Sequence, residues 1–378
     1  MPHNVLVTGA AGYIGGSVIA DILSRTDETL KAVNIFAAAR SQDQVDKISK
    51  LDRVHAFLVD LQDKPAVEYA IAKYEIDIVI HTAGAIFPDM LSNLLSGLGD
   101  RRRATGNKTY LIHASSSYSS VASMFTEEGG WPFGKVKDSD PLIDRQRELG
   151  LDNPVRKTNI VLADEGKAQG VETFNIPIQL TYGRGSGECR KLSVNIPALI
   201  RTSIKLKTVH KFDQDSTPGN VHISDLTDLY VLILNKILKE EPIAVGTDRY
   251  FFSVAHRISW WKIMDKIAEG LYARGLVDEP TPKIWPNYDV AADALGFPRK
   301  FIRPMCMPKQ VSLDLEMIQM LTSLSGDLEP ANGTALGWRP KQDSEQKCLD
   351  QIDQEINDVE ELDTVRMGLF DTLIAEQK

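Results

Sequence analysis

Residues 5–16 read Val5-Leu-Val-Thr-Gly9-Ala-Ala-Gly12-Tyr-Ile-Gly15-Gly16, an apolar strand that runs into glycines at three-residue steps and then into a helix start. In such a turn the first glycine permits the tight bend. The second lets a ligand approach the backbone, and the third lets the helix pack against the strand. The amides of the opening helical turn, with the helix dipole behind them, favour phosphate. The stretch therefore predicts a dinucleotide seat built from Gly9, Ala11, Gly12, Tyr13, Ile14 and Gly15. A strand–helix turn that holds no ligand reads the same in isolation, so the rest of the chain has to decide.

Outward from that turn, short apolar runs at 4–8, 33–39, 54–59, 76–81, 110–114 and 173–176 alternate with helical patterns such as 15–24, 64–73 and 90–103. This alternation predicts α/β architecture, with parallel strands joined by right-handed helical crossovers into a doubly wound sheet. Beyond Pro177 the pattern breaks into a glycine-rich loop at 182–187, helices near 194–204, 223–240 and 260–274, and proline-bearing pieces at 279–286 and 297–308. The expected division is a nucleotide-binding domain over 1–177, with 205–240 returning to it. A smaller substrate lobe takes 178–204 and 241–340, and a helical tail of mixed charge takes 341–378. That tail either packs on the body or meets a partner.

The bulk numbers narrow the class. A chain of 378 residues that is 43% hydrophobic can bury one large core or a core with a lobe. A net charge of -9 argues against a nucleic-acid partner, and the basic run Arg101-Arg102-Arg103 reads as a solvated helix end. Cys189, Cys306 and Cys348 are far apart and odd in number, which suits neither a disulfide framework nor a metal site. No apolar run approaches the roughly 20 residues that span a bilayer, and the first strand begins almost at Met1. The expectation is a cytoplasmic protein with a small-molecule substrate, no metal and no membrane partner.

The spacing Gly-x-x-Gly-x-x-Gly after Thr8 and before Ile14 resembles the extended short-chain dehydrogenase/reductase superfamily. Two later stretches strengthen the resemblance. Asn220-Val-His222-Ile-Ser224-Asp225-Leu226 is similar to the superfamily's Val-His-Val-x-Asp-Leu, and Ala335-Leu-Gly-Trp-Arg-Pro340 to its Leu-Gly-Trp-x-Pro. The matches run from residue 4 to about residue 340. They imply a Rossmann-type sheet with a smaller C-terminal substrate lobe, and a homodimer formed through two helices of the main sheet. A closer likeness to fungal-type epimerase/dehydratase-like proteins rests on Asn153-Pro-Val-Arg-Lys157 and Leu192-Ser-Val-Asn-Ile-Pro-Ala-Leu-Ile-Arg201. The second of these segments also reads as a plain packing helix. Ser224 or Asp225 is expected to cap a helix, and His222 to be structural or at a pocket rim.

Cofactor choice hinges on Arg40, at the end of the second strand. An acid there would bond a ribose 2'-hydroxyl, whereas an arginine can pair with a 2'-phosphate. NADP is expected over NAD, with a merely exposed arginine as the plainer alternative. The resemblance places Asp60 and Leu61 by the adenine, Thr82, Ala83 and Gly84 by a ribose, and Pro177 and Ile178 by the nicotinamide.

The superfamily polarises a substrate carbonyl with a serine hydroxyl at the end of the fifth strand, and Ser116 in Ser115-Ser-Ser-Tyr118 takes that place. It also sets a tyrosine four residues before a lysine, which holds the nicotinamide ribose and lowers the phenol pKa. Here Lys157 follows Asn153, so an amide that cannot ionise stands in the tyrosine's place. The one literal Tyr-x-x-x-Lys, Tyr69 to Lys73, lies on the crossover before the fourth strand, away from the expected site. Tyr118, Tyr182, water or the substrate would then have to handle the proton. Three readings follow: an NADP-dependent oxidoreductase on a small carbonyl, hydroxyl or sugar-like substrate, a non-redox isomerase, dehydratase or cyclase, and a catalytically silent dinucleotide sensor.

Overall fold

Five crossovers join the six strands of the main sheet. The computed structural model describes residues 3–115, 133–213, 215, 217–243, 246, 248–295 and 328–362. Among them β1 (Asn4–Thr8), β2 (Asn34–Ala39), β3 (Val54–Leu58), β4 (Ile78–His81), β5 (Tyr110–Ser115) and β7 (Glu172–Pro177) form a parallel sheet in the order β3-β2-β1-β4-β5-β7. The small strand β6 (Val136–Lys137) lies outside it. The strand order reverses beside β1, which opens a crevice at the carboxyl ends of β1 and β4, where ligands of such sheets bind.

Helices cover both faces. On one side α1 (Tyr13–Ser24), the single turn α2 (Glu28–Lys31) and α3 (Gln42–Ile48) flank the sheet, and on the other α4 (Lys64–Lys73) and α5 (Pro88–Thr105). After the short α6 (Leu142–Glu148), α7 (Pro154–Gln169) joins the second group against α5. The alternation within β1 sorts the layers: Val5 and Val7 enter the apolar layer under α1, and Leu6 the layer under α4 and α5. Local chemistry sets the ends. Asp63 caps α4 through the Ala66 amide, Asn153 caps α7 through the amides of Val155 and Arg156, and Gly106 and Gly170 end α5 and α7 in left-handed conformation.

Beyond β7 the chain forms β8 (Leu180–Tyr182), α8 (Asn195–Leu206), β9 (His210–Lys211), β10 (Gly219–His222) and α9 (Ile223–Leu238). Helix α9 returns to the sheet and packs on α1, with Leu226, Leu229, Tyr230 and Ile233 in the same apolar layer as Val5. His222 itself caps α9, its Nδ1 accepting from the Ser224 amide, so neither Ser224 nor Asp225 is the cap. Asp225 is buried and accepts instead from the amides of Lys341 and Gln342, while its carbonyl takes the Trp338 indole N–H at 2.8 Å.

The lobe adds β11 (His256–Arg257), α10 (Trp260–Ala273), β12 (Lys283–Ile284) and α11 (Tyr288–Leu295), and a second core gathers α8, α10 and α11. Strand β13 (Leu328–Glu329) pairs with β6, and the short α12 (Ala331–Leu336) follows. The C-terminal helices α13 (Glu345–Asp350) and α14 (Ile352–Leu362) close the lobe, burying Cys348, Ile352, Ile356 and Val359 with Ile263, Ile267 and Leu271 of α10. The described part of the tail thus packs on the body. Of the cysteines, Cys189 and Cys348 are free, and Cys306 lies outside the described residues.

Candidate functional site

The carboxyl ends of β1, β4, β5 and β7 bring Thr8, His81, Ser115 and Pro177 to one edge of the sheet. Gly9 follows Thr8 with a φ of +68°, and its carbonyl accepts the Gly12 amide at 2.8 Å. A Cβ at Gly12 would lie 2.9 Å from that oxygen, and one at Gly15 only 2.4 Å from it. The Thr82 hydroxyl, which donates to the Thr8 carbonyl at 2.7 Å, fills the remaining space beside Gly9 and Gly15. Helix α1 starts with Gly12 as its cap residue and no side-chain cap, so its first-turn amides face the crevice without a local acceptor. Ala11, Tyr13 and Ile14 are half-buried there.

The other expected cofactor positions lie along the same edge. Arg40 is exposed at the exit of β2, with its backbone amide donating to Gln44 Oε1. Asp60 is exposed after β3 and accepts the Gln62 amide, and Leu61 is buried with its carbonyl taking the Asn93 side chain. Ala83 and Gly84 follow Thr82, with Gly84 at a φ of +66°. Pro177 and Ile178 are buried at the end of β7, and the Ile178 amide donates to the Ser115 carbonyl. Ser116 and Tyr118 lie outside the described residues.

The catalytic pair does not assemble as the sequence suggested. Asn153 is not on α7 but caps it, its Oδ1 accepting the Val155 and Arg156 amides. Lys157 is exposed, about 200° around the helix from Val155. Val155 and Asn159, four apart on the helix, are both fully buried, and Asn159 is turned to the end of β5. Asn159 Oδ1 accepts from the Ser115 hydroxyl at 3.0 Å and from Asn175 Nδ2 at 2.8 Å, and its Nδ2 donates to Gln146 Oε1 at 3.1 Å. Gln146 continues to the Tyr250 hydroxyl at 2.8 Å, and burial raises that phenol's pKa. Neither Val155 nor Asn159 therefore carries a group that can relay a proton at neutral pH.

The candidate phenol Tyr182 is also displaced from the crevice. It is fully buried in the lobe core, 3.4 Å from His256 Nε2, with its pKa raised chiefly by burial. Tyr69 stands exposed on α4, as its crossover position implied.

One polar row escaped the sequence reading. Thr8, His81, His113 and Asn175 occupy one level across four strands, all buried. The Thr8 hydroxyl lies 2.7 Å from His81 Nδ1, and the two imidazoles stack at 5.3 Å. Burial pushes His81 down to about 3 and His113 well below the usual histidine range, the neighbouring His81 adding to the effect on His113. Both are neutral near pH 7. The available signal was a polar residue inside each of two otherwise apolar strands, Ile80-His81 and Ile112-His113.

Among the described residues no cluster of three or more His, Cys, Asp or Glu is placed to hold a metal, and no helix is long and apolar enough to cross a membrane.

The model of the 3-beta hydroxysteroid dehydrogenase/isomerase family matches residues 6–96, which hold the glycine turn, Arg40 and Thr82. Among curated proteins, the oxidase ucsJ of Acremonium sp is 26% identical over 294 residues, covering 73% of this chain and 81% of that protein. The UDP-glucose 4-epimerase of Bacillus subtilis is 25% identical over 279 residues, 65% of this chain and 76% of the epimerase. Among solved structures, a UDP-glucose 4-epimerase of Thermotoga maritima with UDP-glucose aligns with a TM-score of 0.59 at 14% identity, over 96% of this chain and 100% of that one. A dTDP-glucose 4,6-dehydratase of Streptomyces venezuelae with NAD bound gives a TM-score of 0.59 at 14% identity, over 95% and 97%. At these identities the two structures speak for the fold alone.

Proposed function

We propose that the chain is an extended short-chain dehydrogenase/reductase of the epimerase- and dehydratase-like kind, an enzyme that binds a pyridine dinucleotide along the carboxyl edge of the main sheet. Its substrate is a small carbonyl, hydroxyl or sugar-like molecule held between that edge and the lobe beyond Pro177. The observation that carries this reading is the first turn of α1, where glycines clear the space over the Gly9 carbonyl and no side chain caps the amides. A pyrophosphate fits that turn, because it accepts hydrogen bonds and needs the backbone bare. A bound dinucleotide would supply hydride acceptance or donation.

The protein's own residues would do the rest. Arg40 meets a 2'-phosphate, which favours NADP over NAD. Asp60 and Leu61 border the adenine, Thr82, Ala83 and Gly84 leave room for a ribose, and Pro177 and Ile178 border the nicotinamide. Ser116 orients the substrate oxygen, and Tyr118 or water carries the proton. Lys157 and Asn153 have no part in this scheme, since one lies about 200° around α7 from Val155 and the other precedes the helix as its cap. A homodimer belongs to the same proposal, and sedimentation tests it.

The buried pair Val155 and Asn159 favours a second reading, in which the same pocket performs a non-redox isomerisation, dehydration or ring closure, or only senses the dinucleotide. Fluorescence titration with NADPH and NADH, followed by a panel of carbonyl compounds and nucleotide sugars such as those the relatives are named for, separates the readings. Saturable NADPH binding with consumption by any substrate supports the oxidoreductase. Binding without consumption moves the protein to the second reading, and no binding of either dinucleotide overturns both.

A further inference from the structure

Two buried carboxylates outside the crevice remain unexplained by this scheme. Glu355 and Asp358 of α14 are 2% and 1% exposed, on a helix whose Ile352, Ile356 and Val359 already anchor it in the lobe core. Burying a carboxylate is costly, so a helix that only packed would gain by placing apolar residues there. Both acids instead reach the loop after β8. Glu355 Oε1 accepts the Gly183 amide at 2.5 Å, and Asp358 Oδ1 accepts from Arg184 at 2.9 Å. The Arg184 guanidinium also grips Glu361 with both of its terminal nitrogens.

That loop in turn lies on the opening of α1. The Gly183 carbonyl accepts the Tyr13 hydroxyl at 2.6 Å. The Ser186 amide donates to Ser17 Oγ, which itself donates to the Tyr13 carbonyl at 2.6 Å. Gly187 and Gly16 meet backbone to backbone, since a Cβ on Gly187 would lie 2.8 Å from Gly16 atoms, and a Cβ on Gly185 would lie 2.8 Å from the Tyr13 ring. A continuous chain of contacts thus connects α14, through residues 183–187, to the helix turn assigned above to the dinucleotide phosphates.

We propose that α14 is a latch on the dinucleotide seat: while Glu355 and Asp358 hold residues 183–187 against α1 the seat is preorganised, and release of α14 weakens dinucleotide binding. Coupling of this kind is reciprocal, so bound dinucleotide tightens α14. The inference rests on the reading of the α1 turn given above.

The test uses the full chain with NADPH as probe. Glu355→Ala and Arg184→Ala are expected to weaken NADPH at least fivefold in fluorescence titration. Glu355→Gln, which keeps an acceptor for the Gly183 amide, is expected to stay within twofold. In hydrogen exchange, NADPH is expected to slow 352–362 in the wild type, and Arg184→Ala to speed both 183–187 and 352–362 without ligand. Should Glu355→Ala not fold, Arg184→Ala decides, because its side chain lies nearer the surface. Equal NADPH affinity in wild type and Arg184→Ala, with exchange in 352–362 indifferent to NADPH, overturns the latch and leaves the dinucleotide reading standing. A wild type that binds neither NADPH nor NADH overturns that reading and the affinity claim with it. Unchanged exchange of 183–187 in Arg184→Ala refutes the mechanical link by itself.

Discussion

At Gly15 one added methyl would sit 2.4 Å from the Gly9 carbonyl oxygen and 2.5 Å from the Thr82 hydroxyl, both held by hydrogen bonds of their own. Gly15→Ala should cost about 1–3 kcal/mol in urea denaturation, as overpacking does, and abolish NADPH binding in titration. Arg40→Asp should shift preference from NADPH toward NADH by roughly 10- to 100-fold in the ratio of dissociation constants, the scale of a lost charge-assisted hydrogen bond. Lys157 and Asn159 give opposite expectations. Lys157→Ala should move stability by no more than about 0.5 kcal/mol and leave dinucleotide affinity alone, because the side chain is exposed. Asn159→Ala should cost at least about 2 kcal/mol, since it strands Ser115, Asn175 and Gln146 in a buried setting.

The misplacement of the catalytic pair arose at the scale of one helix. Asn153-Pro154 is a cap followed by a first-turn proline, so the helix begins at Pro154 and counting four from Asn153 does not follow one helical face. Spacing was legible in the sequence, but the helix's rotation was not, because that depends on which side chains find apolar neighbours. The strands were easier, since short apolar runs bounded by turn residues leave little freedom in where β1 to β5 and β7 begin and end. Helix α14 carries a pH expectation. Burial, with Asp358 adding, pushes the Glu355 carboxyl up to about 7, against the Gly183 amide. Tyr13 of α1, Tyr182 of β8 and Cys348 of α13 also feel its charge, Arg184 pairs with Asp358 beside it, and Arg274, just past the end of α10, pairs with Asp353. A carboxyl raised in the folded state stabilises fully below its ordinary value near 4.5, and that contribution is lost as pH rises through about 7. Exchange of 352–362, corrected for intrinsic rates, should therefore be faster at pH 8 than at pH 5, by up to about 3 kcal/mol of local opening energy, and Glu355→Gln should flatten the difference.

Over the whole molecule, the lobe and the tail as far as Leu362 prove to be one packing unit. Composition predicted a helical tail but could not say what it touches, because an amphipathic helix suits a partner as well as its own body. In the fold, Cys348, Ile352, Ile356 and Val359 complete the lobe core, so ending the chain at residue 342 should remove its cooperative unfolding, read from the fluorescence of Trp260 and Trp285. The central sheet has a different weakness. Two stacked imidazoles that cannot charge in place mean that every unfolded chain gains protons the native one refuses as pH falls below about 6.5. Between pH 6.5 and 5 this amounts to about 1.5 kcal/mol for His81, and His113 adds in the same direction. The molecule is thus built with an acid fuse across the middle of its central sheet, and mild acidity near pH 5 should loosen it from the inside while the carboxylates of its surface ion pairs are still charged.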